Sequence, residues 1–287
     1  MTTDARPTLD PDEVRGLLQR PAGPLTRVEV VPRTGSTNLD VTCDLRADAT
    51  SWPDRSLLVA DHQASGRGRR DRVWETPPGT AVTCSFVVRL RMPPELYGWL
   101  PLLAGLGAVT AVRATAGVAA TLKWPNDVLV PATTPVDGWG PYRKVGGILT
   151  ELVTLADGST AAVVGIGLNV LQTVDELPVP SAGSLELAGA RHVDRLGLLV
   201  GLVEALEAIE TRWDQAGGSA RESGLADEVA AVTSTLGTQV AVDLPGGTVL
   251  TGVAERLDDD GALVVRPAAG DPVRVLAGDV RHLRTTP

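Results

Sequence analysis

The sequence predicts an α+β fold: a mixed β-sheet flanked by helices, followed by a small SH3-like β-barrel. Three observations predict it. Short β-branched runs bounded by turn residues occur at Thr121 to Val130, Lys144 to Thr154 and Ala161 to Val170. Apolar residues recur at helical spacing from Tyr97 to Ala116 and from Leu196 to Gln215. From Gly237 the chain becomes five short alternating runs separated by "PGG", "DDDG", "AAGD" and "AGD", a spacing that fits a mini-barrel.

The elements follow in order. Residues 1–25, rich in Pro, Asp and Arg, read as a flexible lead-in with a short helix at Pro11 to Gln19. "VEVV" at Val28 to Val31 alternates like a strand, and Ser36 suits the N-cap of a helix running towards Ala49. The apolar run Ser56 to His62 and the alternating run Thr80 to Leu90 enclose an Arg-Gly loop, giving strand, cationic loop, strand. The helix from Tyr97 is closed by Gly117. Three strands of one sheet come next, the first two separated by the excursion "PATTPVDGWGPYR" and the last two joined by a hairpin at "ADGS". The helix to Gln215 is followed by a Gly/Ser break and a shorter helix near Leu225 to Leu236. The expected division is a catalytic domain at 26–235 and a C-terminal domain at 236–287.

Composition bounds the partners. The 287 residues carry a formal charge of -9, and such a field repels a phosphate backbone, so duplex DNA or RNA is not expected as a principal partner. Aromatics are only 3% against 43% apolar residues, so the core must be Ala, Val and Leu, and the six tryptophans stand out. Cys43 and Cys84 form no C-x-x-C pattern and read as thiols of a cytoplasmic protein. Proline and charged residues interrupt the long apolar stretches and no basic-then-apolar leader opens the chain, so neither secretion nor membrane spanning is expected.

Four short segments carry the chemistry. "GRGRRDRVW" (Gly66 to Trp74) gathers four guanidinium forks among glycines that let backbone approach an anion; taken alone, it also reads as a solvated basic turn. "KWPND" offers Lys123, Asn126 and Asp127 within one turn beside Trp124, or simply a buried Trp next to a polar turn. "KVGGILTE" opens a strand with Lys144, and Gly146-Gly147 weaken that strand unless something needs close access to its backbone. "GIGLN" (Gly165 to Asn169) lacks the third glycine and the βαβ setting of a dinucleotide site, and no P-loop sequence is present.

In this order, "GSTN", "GRGRRDRVW", "KWPNDVL", "KVGGILTE" and "GIGLN", followed by a β-rich tail, resemble biotin protein ligase from about Val28 to the C-terminus. The resemblance implies a class II synthetase-like catalytic domain. It also implies a two-step reaction in which biotin and ATP give biotinyl-5'-AMP, whose biotinyl group passes to a lysine of a biotin carboxyl carrier domain of acetyl-CoA, acyl-CoA or pyruvate carboxylase. Mg²⁺ and ATP are the implied cofactors, biotin is a substrate, and the chain is expected as a monomer or weak homodimer. Only the lead-in precedes the "STN" segment, so no DNA-binding domain and no operator binding are expected.

By the same resemblance, Lys144 and Arg69 are the catalytic candidates. Ser36, Thr37, Asn38, Gln63, Gly66, Arg67, Gly147, Gly165 and Gly167 are the biotin-binding candidates, the last three as a floor for the bicyclic ring. Arg69, Arg70, Arg72, Trp74, Lys123, Asn126, Asp127, Lys144 and Asn169 are the adenylate candidates, with Asp127 also a metal candidate. The loop departs from the family pattern at Asp71 and Val73, and Asp71 is expected to point outward against a neighbouring arginine. The rivals are a lipoate or octanoate ligase or transferase of related fold and a non-catalytic sensor of biotinyl-adenylate. His62, His192 and His282 share no metal-ligand spacing, Trp213 lies on a core stripe, and Asp258 to Asp260 read as a hairpin tip.

Overall fold

Alternating, β-branched segments between residues 27 and 169 assemble into a seven-stranded sheet. The structure, a computed structural model, describes residues 6–244, 247–276 and 278–282, with all their side chains except those of Asp71 and His282. In chain order the first half comprises α1 (Pro11–Leu18), β1 (Arg27–Val31), α2 (Thr37–Ala47), β2 (Ser56–Ala60), the two-residue pair β3 (Gly66–Arg67) and β4 (Val73–Trp74), and β5 (Ala81–Leu90). Then come α3 (Leu100–Ala116), β6 (Thr121–Lys123), β7 (Asp127–Val136), β8 (Gly140–Thr154), β9 (Thr160–Asn169), α4 (Arg195–Gln215) and α5 (Leu225–Val232). The sheet order is β1-β2-β5-β9-β8-β7-β6, and β1–β2 is its parallel pair, so the sheet is mixed.

The two faces of this sheet are covered differently. On one, α3 lies between the strands and α4 and is apolar almost all round, which a helix buried on both sides requires. By length and apolarity Pro94–Ala116 would suffice to cross a membrane, contrary to the expectation that every long apolar stretch is interrupted; here it is the central core helix. On the other face α2 packs Val41 and Leu45 against Leu58, Val87 and Val163. It covers only part of that face. The remainder is the wall of a cavity.

Three expectations need correction. Residues 6–25 are not a loose lead-in: Val14, Leu18 and Leu25 are core residues, and the amide of Leu9 donates to Asp61. The excursion at 131–143 is a hairpin arm formed where β7 and β8 run past the sheet, with Val136 opposite Gly140. Lys144 therefore sits inside β8, not at its start. The last helix ends at Val232, four residues early, because the amide of Ser234 turns to bond Leu122 of β6.

The tail is an antiparallel five-stranded module: β10 (Gln239–Asp243), β11 (Val249–Leu257), β12 (Leu263–Arg266), β13 (Val273–Val275) and β14 (Asp279–His282), in the order β13-β12-β11-β10-β14. Val240, Val242, Ala254, Leu263 and Val265 fill its interior. Two tryptophans of the N-terminal half grip the turn between β11 and β12: Trp99 Nε1 donates to the Asp259 carbonyl at 2.7 Å and Trp124 Nε1 to that of Gly261 at 3.2 Å. The acidic triplet is thus a hairpin tip, its carboxylates pairing with Arg221 and Arg274. Trp213 is core, as its helical spacing implied.

Candidate active site

Sequence-distant segments converge on one cavity of about 550 Å³, and Arg69 and Lys144 both line it. How each side chain arrives there follows from local structure.

The floor belongs to β5, β8 and β9. Gly147 lies opposite Gly167, and Gly165 lies between Leu149 and Ser85, so three positions on this face carry no side chain. The glycines serve neighbouring protein groups as much as a ligand. A Cβ at Gly165 would lie 2.3 Å from Asn38 Oδ1, and one at Gly167 would lie 2.7 Å from the Trp74 ring. Gly147 leaves room for both Lys144 and Trp74.

The polar end is set by the start of α2. Ser36 caps that helix, its hydroxyl accepting from the Leu39 amide, which fixes Thr37 and Asn38 in the first turn. Gln63 Oε1 accepts from the Thr37 amide at 2.8 Å and lies 3.1 Å from its hydroxyl. Ser85 Oγ sits 2.7 Å from Thr37 Oγ1 and 2.6 Å from Asn38 Oδ1. Asn38 Nδ2 donates to the Leu149 carbonyl and to Glu151, both at 3.0 Å. Ser36, Thr37, Asn38, Gln63 and Ser85 are all buried and bonded within this network, which holds their geometry before any ligand arrives. Cys84, also at this end, has its thiol pushed up to about 12 by burial and is inert as a nucleophile.

The cationic centre depends on a β-bulge. Gly146 pairs with Val128 but Lys144 pairs with Leu129, so Val145 is an extra residue in β8. Strict alternation would place Val145 on the cavity face with Gly147. The bulge instead buries Val145 in the core and turns Lys144 towards the cavity. Lys144 Nζ contacts Asp127 Oδ1 at 2.6 Å and lies 5.5 Å from the centre of the Trp74 ring. Lys123 is 5% exposed, and burial, the first cause, lowers its pKa; Lys144 also lowers it while Asp127 opposes them. Burial likewise lowers that of Arg69, with Asp279 and Asp127 acting against it. Such desolvated cations gain strongly from an anion between them.

Several candidates have other employment. Asn126 accepts from Arg69 Nη1 at 3.1 Å and donates to the Ile148 carbonyl at 2.8 Å, so it seats the loop arginine. Asn169 spends its amide on the Gly183 carbonyl and its oxygen on Gln172, fastening the segment after β9. Arg67 reaches Glu151 at 3.4 Å. Gly66 lies just outside the cavity lining, where a Cβ would strike the Trp74 carbonyl at 2.3 Å. Arg70 and Arg72 turn to Asp279 of β14. The expected outward pose of Asp71 lies outside the described side chains. Asp127 is paired with Lys144, and among the described residues no group of three His, Cys, Asp or Glu converges, so the donor set does not fit a protein-held Mg²⁺.

Sequence reasoning missed part of the lining. Trp139, at the tip of the hairpin arm, stacks over Lys123 Nζ at 4.2 Å, and Asp243, Asp279 and Arg281 arrive from the C-terminal module. A signal existed for Trp139, one of six tryptophans in a chain poor in aromatics.

Comparison with known proteins bears on the family. Residues 30–169 match the Biotin/lipoate A/B protein ligase family and residues 235–283 match the Biotin protein ligase C terminal domain. The chain is 36% identical over 283 residues, 97% of each chain, to a biotin--[acetyl-CoA-carboxylase] ligase of Mycobacterium tuberculosis. It is 29% identical to the corresponding ligase of Paracoccus denitrificans, over 85% of this chain and 96% of that one. In fold it resembles a biotin protein ligase of Aquifex aeolicus solved with biotin and ATP, at a TM-score of 0.69, 24% identity and coverage of 90% of this chain and all (100%) of that one. Since the likeness runs over nearly the whole chain, from the seven-stranded sheet through the small C-terminal module, this chain belongs to the biotin protein ligase family.

Proposed function

We propose that the chain joins biotin to the AMP portion of ATP at this cavity and then passes the biotinyl group to a lysine of a carboxyl carrier domain. The observation that carries this reading is that Arg69, Lys123 and Lys144 line one cavity together with the glycines of its floor and with Trp74 and Trp139, which stand over the two lysine ammonium groups. In the first step a biotin carboxylate oxygen attacks the α-phosphorus, and the bond from that phosphorus to pyrophosphate breaks. In the second the lysine amine attacks the carbonyl carbon, AMP leaves, and the amine loses a proton. Both steps concentrate negative charge at one point, so fixed cations there lower the barrier without a covalent enzyme intermediate.

Lys144 takes the bridging position between carboxylate and α-phosphate, and it must give up part of its Asp127 contact to do so. Thr37, Asn38 and Gln63 bound the biotin end, with Ser36 acting through the helix cap. Trp74 Nε1 is buried without a partner, an arrangement that costs about 1–3 kcal/mol, so its seat on Gly147 and Gly167 is readily exchanged for one against a ligand. The -9 charge supports action without DNA, and the free thiols support a cytoplasmic setting.

Incubating the chain with a carrier domain, ATP, Mg²⁺ and biotin should add one biotinyl mass to the carrier, with pyrophosphate release continuing as acceptor is supplied. Transfer of lipoate in place of biotin would favour the lipoate ligase alternative, and one stoichiometric burst independent of acceptor would favour the sensor.

A further inference from the structure

Asp279 opens β14 of the C-terminal module, 21% exposed, and it faces three arginines of the loop. Its carboxylate accepts from Arg70 Nη1 at 3.2 Å and from Arg72 Nη2, while Arg69 Nη1 stands 4.0 Å away. Arg70 also donates to the Asp243 carbonyl at 3.2 Å. The backbone supports the same division: Arg70 has φ 54 and ψ 46, a left-handed conformation that costs a non-glycine residue and needs surrounding contacts to persist. That twist separates neighbours. Arg70 and Arg72 pair with Asp279 of the module, Arg72 along the cavity rim, whereas Arg69 reaches inward to Asn126 at 3.1 Å and touches the module through the Gly278 carbonyl at 3.5 Å.

We propose that Asp279 is a positioning residue: by holding Arg70 and Arg72 it seats the loop across the two halves of the molecule and aims Arg69 at the anionic centre. The loop's four arginines thus have different roles, although their sequence setting is uniform. Without its partners, the stretch 67–72 would carry four arginines against the single carboxylate of Asp71, and this net positive charge would favour opening. The Asp279 carboxylate offsets that charge at the anchoring end only. Loop retention of the bound acyl-adenylate then depends on a residue more than two hundred positions away in sequence. This proposal deepens the ligase reading, on which its adenylate measurement rests; its exchange measurement does not.

The test uses the full chain with Asp279→Asn, which keeps shape and removes charge, and Asp279→Glu, which keeps charge. Amide hydrogen exchange over 66–74 without ligand and the release rate of preformed biotinyl-adenylate are both read. Asp279→Asn should raise each roughly fivefold, as expected for losing a two-pair ionic tether. Asp279→Glu should restore both, and adding Arg70→Gln, outside the cavity lining, to Asp279→Asn should change loop exchange no further. Wild-type exchange and release in Asp279→Asn would overturn the proposal, as would an independent additional effect of Arg70→Gln on loop exchange. If Asp279→Asn does not fold, the Arg70→Gln/Arg72→Gln variant gives the same reading, with faster loop exchange expected and unchanged exchange overturning it. A wild-type chain that makes no adenylate would instead refute the ligase reading, and loop exchange would still decide the role of Asp279.

Discussion

Lys144 illustrates how much one side chain can depend on its backbone. It faces the cavity because Val145 is an extra residue in β8, and its ammonium meets Asp127 at 2.6 Å across the bulge. Lys144→Ala should lower biotin-dependent pyrophosphate release by at least ~100-fold, the scale of losing one preorganised charge at a developing anion. Thermal melting should still show a single folded state; undiminished release would remove Lys144 from the chemistry. Gly165 makes a different kind of argument. Its missing Cβ admits Asn38 Oδ1 at 2.3 Å, so Gly165→Ala must displace Asn38 from Ser85 and the Leu149 carbonyl. A destabilisation of about 1–3 kcal/mol with weaker biotin binding is expected from melting and titration. Unchanged stability would mean that Asn38 relocates freely.

The hairpin arm at 131–143 shows what a sequence hides at the scale of an element. Most strands, the Ser36 cap, the Gly117 stop and the five short runs of the tail were legible because periodicity and turn residues are local properties; Thr121 to Val130, expected as one strand, is instead split at 124–126 into the antiparallel pair β6 and β7. "PATTPVDGWGPYR" was not legible, since its prolines mark an irregular segment unless one knows that the arm projects beyond the sheet, where proline's missing donor is no loss. The bulge at Val145 was equally hidden, because only pairing with β7 reveals an extra residue. Candidate residues could be placed by resemblance, but Asn169 and Arg70 acquire structural partners visible only in three dimensions. The arm has a consequence for the site. Its Trp139 lies 4.2 Å from Lys123 Nζ, a contact of about 0.5–2 kcal/mol, so Trp139→Ala should raise the KM for ATP several-fold and leave that for biotin unchanged. Equal changes in both would mean that the arm supports the whole cavity, not its nucleotide end.

At the scale of the whole molecule, the N-terminal segment acts as a strap. It crosses the end of the sheet, where Arg195 of α4 pairs with Asp61 at 2.9 Å and donates to the Pro7 carbonyl, while Arg6 makes a two-pronged contact with Glu176 at 2.8 Å. That contact joins the strap to the segment after β9, which also carries Ser181 and Ala182 along the cavity beside Lys144. Acid should loosen this link in a defined window. Hydrogen bonding from Arg6, then from the Thr173 amide, holds the Glu176 carboxyl down at about 2, against an ordinary value of 4.5. A depressed folded value means that the link contributes fully above 4.5 and is lost as pH falls through about 2. The melting-temperature gap between wild type and Glu176→Gln should therefore be constant near neutrality and close progressively over that interval. A small gap is expected, since both side chains are 28% exposed and water screens the pair. If the gap persists unchanged at the acid end, Glu176 does not hold the strap by its charge, and the packing of Leu9, Val14 and Leu18 holds it alone.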